Sequence, residues 1–109
     1  MIDKLQMVID RYNELARLMS QPDAMTNMKT FTKMAREHKA MEEMVEKSKK
    51  YIRDYGQILE HEEILNSDDE ELKEIAKEEI GTLRDRLDVQ EEILKILLVP
   101  RDPDDDKNT

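Results

Sequence analysis

Cysteine is absent from this 109-residue chain, which excludes disulfides, thiolate metal sites and a cysteine nucleophile. Glycine occurs twice and proline three times, and aromatic residues make up only 4%. With 41% charged residues, that is the makeup of long solvated helices, and the expected class is all-α. Unbroken apolar runs are also missing. Residues 1–10 interleave acids with apolar side chains, so they read as neither a signal peptide nor a membrane span, and a soluble cytoplasmic protein is expected. Equally absent are a glycine-rich phosphate loop, a Gly-x-Ser-x-Gly elbow and aromatics interleaved with basic residues.

What is present is charge and helical periodicity. The net charge of −9 opposes strong nucleic-acid binding by the chain as a whole, because phosphate attachment needs clustered cations. Its distribution is uneven. Residues 28–55 hold eight Lys/Arg against five acids, whereas residues 67–109 hold fifteen acids against seven bases. The basic middle could approach RNA or an acidic protein locally, and Lys47, Lys49, Lys50 and Arg53 are the candidate contact residues; a solvated face of mixed charge is the plainer alternative. Disorder competes with folding in so polar a chain, yet apolar residues recur at helical spacing in every segment.

Ile2, Leu5, Ile9, Tyr12, Ala16 and Met19 lie three and four apart, which predicts a helix over residues 2–20 that stops before Pro22. A turn follows at about 21–27. A second stripe, Phe31, Met34, His38, Met41, Val45, Ser48, Ile52, Tyr55 and Leu59, predicts a helix over 28–65, with a bend or break at Gly56, where glycine costs roughly 1 kcal/mol relative to alanine. Ser67 and Glu70 have the spacing of a capping box, and acids follow at 68–71. The third helix is expected over 68–98, with a seam of Leu72, Ala76, Ile80, Leu83, Leu87, Gln90, Leu94 and Leu97; Gly81 is its weak point and Pro100 ends it. One helical domain over residues 1–99 is then followed by an extended acidic linker, 100–109. Short connections predict an antiparallel three-helix bundle. The last two helices, at about 55 and 45 Å, outrun the first, at about 27 Å, and extend as a long hairpin. Its apolar stripe at 45–59 is a candidate for weak self-association.

No constellation carries chemistry. His38 sits on a seam without a second histidine nearby, which favours a packed histidine over a ligand. His61-Glu62 begins like a zinc-protease helix, but Leu65 stands where the second histidine belongs. A di-iron bundle needs Glu-x-x-His pairs, and Ala35 and Ile58 occupy those positions instead. Asp104, Asp105 and Asp106 lack the alternating spacing and turn glycine of a calcium loop. Glu74–Lys77 and Glu91–Lys95 read as surface pairs along a helix. The methionines, Met34, Met41 and Met44 among them, read as core filling more readily than as an adaptable contact surface. No catalytic residue, cofactor or metal is expected.

Four segments carry a resemblance: Lys4-Leu5 with Arg11-Tyr12-Asn13-Glu14-Leu15; Ser20-Gln21-Pro22-Asp23; Phe31 followed by Met34-Ala35-Arg36-Glu37-His38-Lys39; and Glu70-Glu71-Leu72-Lys73-Glu74-Ile75-Ala76-Lys77-Glu78-Glu79. The most specific piece is Leu97-Leu98-Val99-Pro100-Arg101-Asp102-Pro103-Asp104-Asp105-Asp106-Lys107-Asn108. Together they resemble the N-terminal helical domain of bacterial-type class I peptide chain release factors, of the type that reads UAA and UAG. The resemblance implies a domain that docks on the ribosome at the large-subunit stalk region and meets the methyltransferase of the Gly-Gly-Gln glutamine. It also implies that codon reading and hydrolysis belong to domains this sequence lacks. The alternative is a stand-alone helical adaptor or coiled-coil dimerisation module.

Overall fold

A computed structural model describes residues 1–99; the linker expected at 100–109 lies outside the described residues. The all-α class holds: three α-helices, α1 (Ile2–Met19), α2 (Met28–Ile64) and α3 (Glu70–Leu98), are joined by turns, with no strand among the described residues. No helix is long and apolar enough to cross a membrane. The chain divides into two compact units, Met1–Gln57 and Ile58–Thr109.

In the first unit, α1 buries Leu5, Ile9 and Leu15. Ala16, expected on this seam, is exposed, because the buried stripe steps three residues from Tyr12 and places the larger Leu15 inside. The helix stops one residue earlier than expected: Ser20 turns its hydroxyl back to donate to the Ala16 carbonyl at 2.6 Å. A short 3₁₀ turn at Ala24–Thr26 carries the chain round. Asn27 then accepts a hydrogen bond from the Thr30 N–H through Oδ1 at 3.2 Å, the geometry of a helix cap. Two contacts tie the helices of this hairpin: Arg11 Nη2 reaches Glu37 Oε2 at 2.7 Å, and the Tyr12 and His38 rings stack with centroids 3.9 Å apart. His38, half-buried, is thus a packed histidine.

Helix α2 runs without interruption through Gly56, which has no positive φ. The boundary between the two units falls just beyond that glycine. In its second half the buried face departs from the expected stripe. Met44, Val45, Ser48, Tyr51, Asp54 and Ile58 are buried, while Tyr55 and Leu59 are 39% and 50% exposed. The inward face advances 48, 51, 54, 58, a path the sequence hides by placing the charged Asp54 on it.

The second unit holds the end of α2 and all of α3. Its core residues are Ile58, Ala76, Ile80, Leu83, Leu87 and Leu94; Gln90 and Leu97 are half-buried, and Leu72, the expected first member of the seam, is exposed. The cap of α3 is Asp69, not Ser67. The Ser67 N–H closes the preceding turn on the Ile64 carbonyl at 2.9 Å, leaving Asp69 Oδ1 to accept from the Leu72 N–H at 3.2 Å. Glu70, freed from a capping box, pairs with Lys73 at 3.2 Å, and the helix begins two residues later than expected. Lys77 pairs with Glu74 as the spacing implied; Lys95 reaches Glu92 at 3.7 Å.

Candidate functional site

The eight cations between Lys29 and Arg53 all lie on α2, but they fall into different surroundings. The set singled out from the sequence is Lys47, Lys49, Lys50 and Arg53. At 100° per residue it spreads over roughly 160° of the helix surface. Lys47 is half-buried and lies 3.7 Å from Glu43, and the Arg53 Nε lies 3.7 Å from Oδ1 of the buried Asp54. Lys49 and Lys50 are exposed, with Glu46 one turn before them on the same helix. Acids therefore temper this set from within its own helix.

Lys29, Lys33 and Arg36 are different. They sit within an arc of about 60°. Together with Met28 and Thr32 they line a shallow depression at the beginning of α2. All five are exposed, and the first turn of the helix contains no acid. The sequence counted these cations but not their isolation: the thirteen residues 24–36 contain no aspartate or glutamate at all. That gap was the signal available. The first acid after it, Glu37, is occupied by Arg11.

Other titratable groups serve the helices themselves. Arg17 donates to Glu14 through Nε and Nη2, at 3.0 and 2.6 Å. The hydrogen bond holds the Glu14 carboxyl below its usual range, and the same contact raises the Arg17 guanidinium. Glu62, from the zinc-protease-like pair, lies 3.3 Å from Arg84 Nη2, and His61 Nδ1 is buried without a hydrogen-bond partner. Among the described residues no three His, Asp or Glu side chains gather where they could hold a metal ion.

Comparison with known proteins decides the family, since the PCRF domain matches residues 8–109. The chain belongs to the PCRF domain family. This PCRF domain is 45% identical over 108 residues to peptide chain release factor 1 of Syntrophus aciditrophicus, covering 99% of the chain and 30% of that protein. It is 43% identical over 109 residues to peptide chain release factor 1 of Ligilactobacillus salivarius, covering 99% of the chain and 30% of that protein. With peptide chain release factor 1 of a Sulfurovum species it shares 42% identity over 106 residues, covering 97% and 29%. The domain thus spans about 30% of the length of the curated relatives it matches. No solved structure matches it. The match runs through the junction at 97–108 that carried the resemblance, most of which lies outside the described residues.

Proposed function

We propose that this PCRF domain is the ribosome-docking module of a peptide chain release factor of the UAA/UAG-reading type, acting in translation termination. The observation that carries the reading is the 45% identity to peptide chain release factor 1 across 99% of the chain. Stop-codon reading and ester hydrolysis are assigned to the part of such a factor beyond the matched 30%, and the helices position that part on the ribosome. The glutamine methyltransferase of release factors is a second partner on the same reading, and the cytoplasm the place of action.

Co-sedimentation with 70S ribosomes tests the docking role: the chain pellets with ribosomes, and its absence from the pellet at low salt overturns the reading. A peptide-release assay tests the division of labour. The chain alone liberates no peptide from a stop-programmed ribosome, and measurable release would place chemistry in these helices.

The self-associating adaptor draws on the exposed Tyr55 and Leu59, but Val45 and Ser48 of the same stripe are already buried within the single chain. Sedimentation velocity separates the readings, since an adaptor dimerises with rising concentration and the docking module stays monomeric.

A further inference from the structure

We propose that the face formed by Lys29, Lys33 and Arg36 at the beginning of α2 binds the phosphate backbone of ribosomal RNA. The inference rests on the docking reading and names the contact that docking uses. Three observations converge on it. First, the cations are exposed, share one narrow arc around a depression, and have no ion pair or hydrogen bond among the described residues. Second, the chain carries 27 acids, yet none falls in residues 24–36, so within a strongly acidic chain this stretch is locally positive. Third, Lys29 occupies the first turn of α2, at the positive end of the helix dipole, where the backbone disfavours a cation and acids are the usual choice. A departure from the local rule with no compensating contact in the fold points to a counter-charge supplied from outside.

The geometry favours a phosphate backbone over an acidic protein. Lys29 to Arg36 spans seven residues, about 10 Å of helix rise. Cations spread over that length can each meet a separate phosphate group of a polynucleotide strand. Thr32, between the cations, adds a hydroxyl of the kind that commonly contacts phosphate oxygens. Among the described residues no aromatic side chain lines the depression to serve as the anchor of a protein interface.

The test uses the whole chain and purified 70S ribosomes. Because the chain has no cysteine, Met25→Cys, an exposed position in the turn beside the face, can carry a single benzophenone label. On irradiation the label is expected to enter ribosomal RNA. The variant K29E/K33E/R36E should lose at least tenfold in ribosome retention together with that cross-link, whereas K49E/K50E should change retention less than twofold. Wild-type retention should fall with salt, and the triple variant should flatten the log–log slope by about 2 to 3, since each phosphate contact contributes 0.7 to 0.9. Unchanged helicity by circular dichroism distinguishes lost contact from lost fold. Wild-type retention of the triple variant overturns the inference, as does a label that enters only ribosomal protein; both leave ribosome docking standing. Failure of the unmodified chain to pellet removes the docking reading and this inference together.

Discussion

The two long helices begin and bury in opposite ways. Helix α3 starts with an aspartate cap followed by Glu70 and Glu71, acids that suit the positive end of its dipole, and its buried residues, Ala76, Ile80, Leu83, Leu87 and Leu94, are all aliphatic. Helix α2 starts with a neutral Asn27 cap and then Lys29, Lys33 and Arg36, and its buried face includes Ser48, Tyr51 and Asp54. Helix α3 follows the rules of helix stability at its start and along its buried face. Helix α2 departs from them at its start and in its interior, and departures of that kind mark the parts of a molecule shaped by something other than stability.

The contrast is broken most severely by emptying the aliphatic face. Leu94 is fully buried, so Leu94→Ala should cost about 2–5 kcal/mol of unfolding free energy, transfer loss plus residual cavity. Leu72→Ala on the same helix, at a 47% exposed site, should cost less than about 0.5 kcal/mol, as an ordinary surface substitution does. Urea denaturation monitored by circular dichroism reads both, and equal costs would show that α3 does not bury the face assigned to it. Next in size is the cap. Asp69→Ala removes the acceptor for the Leu72 N–H and should cost about 1 kcal/mol, within the usual span of roughly 0.5–2.

These differences also explain what could be read in advance. The α3 seam is legible from Ala76 to Leu97 because its aliphatic residues repeat at three and four with Gln90 the sole polar member. In the second half of α2 the same reading leaves the buried face after Ser48, with Tyr51, Asp54 and Ile58 buried where Ile52, Tyr55 and Leu59 were expected. Asp54 is nearly fully buried, and the apolar Ile52 and Tyr55 beside it offered a more conventional stripe that led one position off the true face. The cap was misplaced for a related reason: Ser67 and Asp69 are both good cap residues, and only the turn closed by the Ser67 N–H on Ile64 selects the aspartate. In the candidate site, counting cations favoured Lys47 to Arg53. Their acidic neighbours, and the absence of acids around Lys29 to Arg36, separate the two groups, and that requires counting the residues that are missing.

Two substitutions move α2 toward the chemistry of α3. Ser48 is fully buried and its hydroxyl has no hydrogen-bond partner, so Ser48→Ala should raise stability by about 1 kcal/mol, relieving an unsatisfied polar atom and improving helix propensity. Loss of stability would reveal a bridging water at Oγ. Gly56 lies in the helix interior, and a Cβ built there meets nothing within 4 Å. Gly56→Ala should therefore raise stability by about 0.8–1.0 kcal/mol, and Gly81→Ala in α3, equally unobstructed, should do the same. A smaller gain at Gly56 than at Gly81, in the same thermal melts, would locate in α2 a need for backbone freedom just before the boundary between the two units.

The smallest effect sharpens the comparison most, because stability and function should move in opposite directions. Lys29 stands in the first turn of α2, where the helix dipole disfavours a cation, and it has no partner among the described residues to offset that. Lys29→Glu gives α2 the acidic start that α3 already has and should raise the unfolding free energy by about 0.3–1 kcal/mol at low ionic strength. Raising the salt screens the interaction of so exposed a charge and should erase most of the gain. The same substitution should weaken ribosome retention. A variant that gains stability and loses retention shows that the cation is kept for a partner and at a cost to the fold; one that loses both shows that Lys29 has an intramolecular role, and the reading of the α2 start as a docking face then fails.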